Sequence, residues 1–501
     1  MSAVTLPTMT LAALLQGIAT APALAMSDLT LDSRAVATGG VFLALSGTAR
    51  HGIEFADQAC DRGAVAIITD LPQSDPRVSA LGLSIPVISV PADTALASTL
   101  AVRFFADPTA HLDTVAVTGT NGKTSICWLV SNALERLGRA AAFMGTLGHG
   151  QPSALQPQSL TTPDAVSLQR YAYQLLQQNF SALVFEASSH AISQGRLAAT
   201  SVDVAVFSNL TRDHLDYHGE MEAYFEAKAA LFALPQIGVR ICAIDDHYGR
   251  ILWQRFADSA WAVTTESLAS IPTAARTPGC VAVKQFVQTP TGLQVTLQRI
   301  EGEYEISSCL YGDFNVQNIA LAFAALCAVG VAPDAAAASL AEVAPPPGRM
   351  QRVVDAQPAV YVDYCHTPAA LHAALSTLRA HTDGHLWCVF GCGGERDRGK
   401  RPLMARAAQS ADRVVVTSDN PRSEDPDRII DDVVAGLDTA PIWCDPDRAA
   451  AIHYAISHAQ RDDVVLIAGK GHERVQWIDG DCVPFDDVQV AETALHQRGV
   501  A

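Results

Sequence analysis

DTVAVTGTNGKTSICWLV, residues 113–130, is the stretch that decides how this chain is read. It opens on an apolar run of strand length. Ile126, Leu129, Val130, Ala133, Leu134 and Leu137 then recur at spacings of three and four, the period of a helix face. Between strand and helix lies TGTNGKT, residues 118–124. Small residues at such a junction let backbone N–H groups close on phosphate oxygens, and the helix N-terminus favours negative charge. Gly119, Thr120, Asn121, Gly122, Lys123, Thr124 and Ser125 form the candidate nucleotide site. In it Lys123 reaches the β- and γ-phosphates and the Thr124 hydroxyl ligates Mg²⁺. The familiar pattern for this loop wants Gly at 117, and this chain has Val117. The competing reading is a plain strand-to-helix turn carrying a surface lysine.

Working outward, ALVFEAS (182–188), VDVAVFSNL (202–210) and VRICAID (239–245) are further strand candidates. Strands alternating with helices imply a mostly parallel sheet. Before residue 108, the short apolar runs GVFLAL (40–45), GAVAIITD (63–70) and IPVISV (85–90) suggest a small α/β domain. After the stiff linker APPPG (344–348), the runs AVYVDYC, HLWCVFGCGG, RVVVTSDN and DVVLIAGKG alternate with helical patterns. The expected architecture is α/β in three domains, 1–108, 109–345 and 346–501. The last is a second doubly wound unit, in which ligands sit past the carboxyl ends of the strands.

The polar motifs fall at those ends. Glu186, in FEASSH (185–190), can bind Mg²⁺ or merely cap a helix. His214, in TRDHLDYHG (211–219), can be a metal ligand or a packed histidine. Lys228 shares a helical face with Met221, Tyr224, Phe225, Leu231 and Phe232. Pattern alone favours an amine that snorkels to water. The alternative is a desolvated neutral amine able to take up carbon dioxide as a carbamate. Three charged loops close the chain: GCGGERDRGKRP (391–402), DNPRSEDP (419–426) and GKGHE (469–473). Arg422 offers a planar fork for a carboxylate, and Glu473 can accept from an amine. The loops read either as solvated turns or as a binding site for a small zwitterion.

Composition bounds the rest. The chain has 501 residues, with 34 Lys and Arg against 52 Asp and Glu, a formal charge of -18. That argues against a nucleic-acid binder while leaving room for an anionic substrate held locally. Eleven cysteines without a C-x-x-C pair suit free thiols in a reducing compartment, so a cytoplasmic protein is expected. The first 26 residues lack Lys and Arg, which speaks against a signal peptide, and no apolar run is long enough to span a membrane. A monomer is expected.

These motifs, with GDFNVQN (312–318), GRM (348–350) and DYCHTP (363–368), resemble the Mur ligases, and they stand in that family's order over nearly the whole chain. TGTNGKT preceded by Val117 is that family's own form of the loop. The DNPR form resembles the branch that adds meso-diaminopimelate rather than lysine to UDP-N-acetylmuramoyl-L-alanyl-D-glutamate. The resemblance implies a UDP-substrate-binding first domain, a P-loop ATPase-like central domain and a Rossmann-like last domain that holds the amino acid.

By the same resemblance, Leu31 and Ser33, with part of the 46–52 stretch, hold the uridine nucleotide. Thr161, Thr162, Ser188, Gln194 and Arg196 bind the muramoyl dipeptide. Asn318, Arg349 and Asp363 contact ATP. Arg396, Asp419, Asn420, Pro421, Arg422, Gly469 and Glu473 bind diaminopimelate. Lys228, as a carbamate, completes a magnesium site with Thr124, Glu186 and His214, and Lys123 acts on the phosphates. Cys365, Ala369 and Glu395 depart from residues common in relatives. The implied reaction passes through an acyl phosphate, with two magnesium ions offsetting charge. The readings to be separated from this one are the lysine-adding ligase, a folate polyglutamate-type ligase and a non-catalytic nucleotide-binding scaffold.

Overall fold

The computed structural model describes residues 6–47, 50–272, 276–289, 292–354 and 356–499. Thr48 and Ala49 of the 46–52 stretch, and the first five residues of the segment read for a leader, lie outside these. The chain packs as two compact units. One comprises Met1–Thr118, Leu134–Val206 and Ala227–Arg240, the other Gly119–Ala133, Phe207–Glu226 and Ile241–Ala501.

In the first unit, the apolar runs of the N-terminal zone become a four-stranded parallel sheet. Its strands, in order, are Asp28–Thr30, Gly40–Ala44, Ala66–Thr69 and Val87–Ser89. Alternate side chains take opposite faces, as a pleated strand requires. Val41, Leu43, Ala66 and Ile68 pack against the helix Leu96–Phe105, while Phe42, Ala44 and Ile67 pack against Ala56–Asp61. Each large side chain so buried contributes about 1.5–3 kcal/mol. The decisive strand, Asp113–Thr118, pairs in parallel with Ala182–Glu186, which pairs in parallel with Ala141–Gly145.

In the second unit, the last zone forms a six-stranded sheet. Its order is Gln351–Arg352, Ala359–Asp363, Val464–Ala468, Leu386–Phe390, Arg413–Thr417 and Trp443–Asp445. All its pairings are parallel except the first. Tyr361, Cys388, Phe390, Val416 and Leu466 point into one core with the helices Pro368–Arg379, Arg401–Ala408 and Pro426–Val434. Val360, Val362, Val389, Val415 and Ile467 point into the other with Arg448–His458 and Asp487–Gln497. Continuous apolar strands buried on both faces are the reason this zone reads as doubly wound.

Several features differ from the sequence reading. Val281–Thr289, Gly292–Gln298 and Glu303–Ser308 form an antiparallel run that the apolar pattern did not announce, with a bulge between Val283 and Gln285. Leu137 is exposed and follows the helix Lys123–Arg136 instead of lying on its buried face. The 344–348 linker is pinned. Trp128 Nε1 donates to the Ala344 carbonyl at 2.9 Å and the Tyr364 N–H to the Gly348 carbonyl at 3.0 Å. Gly348, at φ 66°, abuts the backbone of Gly471 and His472, so any Cβ there would collide. All eleven cysteines are free. Among the described residues no helix is long and apolar enough to cross a membrane.

Candidate active site

The phosphate loop is built from backbone geometry. Gly119 and Gly122 adopt φ of 143° and 87°, which side-chain-bearing residues avoid. A Cβ on Gly119 would strike Ser208 Oγ, and one on Gly122 would lie 2.5 Å from Asn318 Oδ1. The neighbouring segment braces the loop. Thr211 N–H donates to Thr120 Oγ1 at 3.0 Å, Asn121 N–H to Asn209 Oδ1 at 3.0 Å, and Ser208 Oγ to the Asn121 carbonyl at 2.6 Å. Lys123 Nζ donates to the Gly119 and Thr120 carbonyls, both at 2.9 Å. Thr124 and Ser125 are buried in the first turn of the helix that follows.

Residues distant in sequence join this loop. Arg349 Nη2 donates to Thr124 Oγ1 at 3.0 Å, and its guanidinium lies 4.4 Å over the Tyr364 ring. Arg349 Nε is buried with no hydrogen-bond partner among the described residues, leaving a donor for an anionic ligand. Asp363 accepts from the Met350 and Cys365 N–H groups at 2.6 and 2.7 Å. Burial pushes its carboxyl up, and the Arg349 charge opposes that. Asn318, also buried, donates to Asn315 Oδ1 at 2.8 Å.

The charged loops of the last zone meet at the carboxyl ends of its strands. Arg422 has φ 56°, held there by main-chain bonds to a hairpin of Val475–Ile478 and Asp481–Pro484. Its N–H donates to the Trp477 carbonyl at 2.9 Å, and the Asp479 N–H donates to its carbonyl at 2.5 Å. Its Nη1 donates to the Gly394 carbonyl at 2.7 Å. Burial and the charge of Arg396 both work against the Arg422 cation, so two guanidiniums face one region. Pro421 is buried, and Arg396 itself is exposed. Gly469, at φ 116°, brings its backbone close to Asp419 and donates to the Asp363 carbonyl at 3.0 Å.

Lys470, 0% exposed, ties the two motifs together. It donates to Asn420 Oδ1 and Glu473 Oε2, each at 3.0 Å, and lies 3.8 Å from Asp419 Oδ1. Asn420 Nδ2 donates to the same Glu473 oxygen at 3.0 Å. Burial raises the Asp419 carboxyl against the pull of Lys470. Burial also opposes the Glu473 anion, but Lys470 and Asn420 outweigh it and hold that carboxyl down. Lys470 went unassigned in the sequence, although it stands inside GKGHE.

A second missed cluster lies between the TRDHLDYHG loop and the last zone. Asp213 is buried and flanked by Lys400 at 3.3 Å, His366 at 3.4 Å and His214 at 3.5 Å. Burial works against its anion, yet His366, Lys400 and His214 hold it far below the usual carboxylate range. Arg212 pairs with Asp397 at 3.2 Å, and Thr367 Oγ1 donates to Asn121 Oδ1 at 3.5 Å. The phosphate loop and the 391–402 loop therefore share one compact unit.

The other unit carries the remaining candidates. Thr162 Oγ1 donates to the Glu186 carbonyl at 2.6 Å and accepts from the Ser188 N–H at 3.0 Å. Arg196 donates to the Thr162 carbonyl at 2.7 Å and to Gln194 Oε1 at 2.6 Å. The Glu186 carboxylate, buried, accepts from Thr146 N–H and Oγ1 at 2.8 and 3.1 Å, and Thr161 Oγ1 lies 3.4 Å from that same hydroxyl. Lys228 is 1% exposed, so it does not snorkel to water as its pattern alone favoured. Leu31 and Ser33 follow the first strand, where Ser33 Oγ donates to Gln58 Oε1 at 2.6 Å.

The Thr124 hydroxyl and Glu186 carboxylate are the hard oxygen donors that magnesium takes. His214 offers nitrogen, is 43% exposed and sits beside Asp213, which suits that ion less well. Among the described residues, no three His, Cys, Asp or Glu side chains gather into a metal-binding group.

Comparison with known proteins bears on all three zones. Residues 26–100 match the Mur ligase family catalytic domain, 117–326 the Mur ligase middle domain, and 348–471 the Mur ligase glutamate ligase domain. The UDP-N-acetylmuramoyl-L-alanyl-D-glutamate--2,6-diaminopimelate ligase of Alkalilimnicola ehrlichii is 42% identical, covering 94% of this chain and 95% of its own. The enzyme of the same name from Pseudomonas putida is 43% identical, with coverage of 93% and 94%. A solved structure of a ligase of that name is 35% identical, superimposes with a TM-score of 0.65 and covers 95% of each chain. The chain belongs to the Mur ligase family.

Proposed function

We propose that this chain is the ATP-dependent ligase that joins meso-2,6-diaminopimelate to UDP-N-acetylmuramoyl-L-alanyl-D-glutamate, a cytoplasmic step in making peptidoglycan precursor. Residues 1–108 take the UDP moiety, 109–345 the ATP, and 346–501 the amino acid. The observation that carries this reading is that the phosphate loop and the Arg422, Asp419 and Glu473 loops belong to one compact unit, within which Asn121 bonds Thr367 and Asp213 pairs with Lys400. Near full-length identity to relatives bearing that enzyme name supports it.

The γ-phosphoryl of ATP passes to the D-glutamate γ-carboxylate, giving an acyl phosphate and ADP. The diaminopimelate amine attacks the acyl carbon, phosphate leaves with the bonding pair, and the nitrogen loses a proton. Lys123 and Arg349 offset charge on the transferring group, the main demand of phosphoryl transfer. Thr124 would hold magnesium, which supplies further positive charge there. Lys228 takes up carbon dioxide at its neutral amine, releases a proton and becomes an anion. Its burial on the helix Met221–Phe232 supports this, since desolvation disfavours the ammonium. Intact mass is the check, and a parent mass free of any carbamate shift in bicarbonate buffer would remove Lys228 from the scheme. Arg396 and Arg422 hold the amino-acid carboxylate, and Asp419 and Glu473 its ammonium.

The decisive experiment measures phosphate release from ATP and the UDP-dipeptide with and without meso-diaminopimelate or lysine. Release that depends on diaminopimelate, with a tripeptide product, is the expected result. Release driven equally well by lysine, or without any added amine, overturns the assignment.

A further inference from the structure

Outside the residues assigned so far, one pair of buried charges reaches the amino-acid site from behind. Arg448 and Asp487 are both 0% exposed, and they face each other in a fork of 2.7 and 2.8 Å. Each opens a helix, Arg448 the one that runs to His458 and Asp487 the one that runs to Gln497. A carboxylate at a helix N-terminus is favoured by the helix dipole, and a guanidinium there is opposed. Replacing a buried ion pair by apolar side chains of similar volume is often neutral for stability. Neither consideration accounts for an arginine at this position.

The fork does one thing an apolar pair cannot. Arg448 Nη1 donates to the Ser418 carbonyl at 3.1 Å, and Nη2 donates to the Ala468 carbonyl at 3.0 Å. Ser418 follows the strand Arg413–Thr417, and Ala468 ends the strand Val464–Ala468. These strands are not neighbours, because Leu386–Phe390 lies between them. One planar group thus bridges the ends of two strands that a third strand separates. It fixes the backbone one residue before Asp419 and one residue before Gly469. A lysine, with a single ammonium, cannot reproduce a rigid fork bonded on both sides.

We infer that Arg448, oriented by Asp487, is a positioning residue that sets the spacing between the Asp419 and Gly469 loops and so the grip on the incoming amino acid. The inference rests on those loops being the diaminopimelate site.

The test is a split in KM. Arg448→Lys keeps the charge and loses the fork, and it should raise the diaminopimelate KM tenfold or more. The KM values for ATP and the UDP-dipeptide should stay within twofold, and excess diaminopimelate should restore kcat. The double variant Arg448→Met with Asp487→Leu keeps a packed core without the carbonyl bonds, so the readout does not hinge on the single variant folding. It should show the same selective rise with a thermal midpoint near the parent's. A folded double variant with an unchanged diaminopimelate KM overturns the inference, as do three KM values that rise together. A parent whose phosphate release ignores diaminopimelate fails earlier, since that removes the site reading itself.

Discussion

The phosphate loop and the amino-acid loops are both set at the carboxyl ends of strands, but they are held by opposite means. The loop at 119–122 is braced mainly by uncharged groups, through glycine conformations, the Asn209 side-chain amide and the Ser208 hydroxyl, while Lys123 folds over the Gly119 and Thr120 carbonyls. The loops at 419–422 and 469–473 are braced by buried charge, with Lys470 beneath them and Arg448 behind. Hydrogen bonds between uncharged groups tolerate pH, although here they too come from a distant segment, at 208–211. Charged bracing draws on partners far along the chain, and it fails when one member is lost.

That contrast can be broken in graded steps. Lys123→Ala should have the largest effect, lowering kcat by about 10²–10³ or more, as removal of one preorganised charge does. Its fold should remain, checked by circular dichroism beside the phosphate-release assay. Arg422→Ala should cost about 2–5 kcal/mol in diaminopimelate binding, read as a KM rise of roughly thirtyfold or more with little change in the ATP KM.

Glu424 supplies a test of charged bracing by pH. Arg401, 1% exposed, forks onto it, and that bond holds its carboxyl down to about 2. A depressed carboxylate contributes stability that is complete above its unfolded value and lost as pH falls toward the folded one. The thermal midpoint of the parent should therefore drop between about pH 4.5 and 2 more steeply than that of Glu424→Gln. At pH 7 the variant should already be the less stable, because among the described residues Arg401 then keeps Asp432, at 2.8 Å, as its one charged partner. Parallel midpoint curves for the two proteins would contradict the pairing. The smallest effect belongs to Arg212→Ala. Its ion pair with Asp397 is exposed on the arginine side, so the loss should be about 0–1 kcal/mol and should shrink in high salt.

The same contrast explains what the sequence could disclose. TGTNGKT is legible because its glycines, lysine and threonine stand together in the chain, even though the residues that brace it, at 208–211, do not. The strands at 113–118, 182–186 and 464–468 are legible because burial on both faces demands unbroken apolar runs. The antiparallel run at 281–308 was missed. Its first strand leaves four successive residues, 284–287, exposed, so neither an unbroken apolar run nor a clean alternation marks it. Pattern alone favours snorkelling for Lys228, against its burial, because a helical face shows which neighbours a lysine has along the chain and not what covers its end. Lys470, Asp213 and Arg448 were invisible for a related reason. A buried charge is tolerable only with a partner, and here the partners stand 39 to 187 positions away or were silent within a quoted motif.

The hairpin beside Arg422 has an evolutionary consequence. Its grip on that residue is entirely main chain, through the Trp477 carbonyl and the Asp479 N–H, while the Trp477, Ile478 and Val483 side chains are exposed. Side-chain identity at those exposed positions is thus free to drift, but the ribbon's length is not, nor is Gln476, whose Nε2 donates to the Asp419 carbonyl at 2.6 Å. Shortening the turn at Asp479 and Gly480 by one residue would re-aim the guanidinium, making that turn an economical place for relatives to diverge in which amino acid they accept.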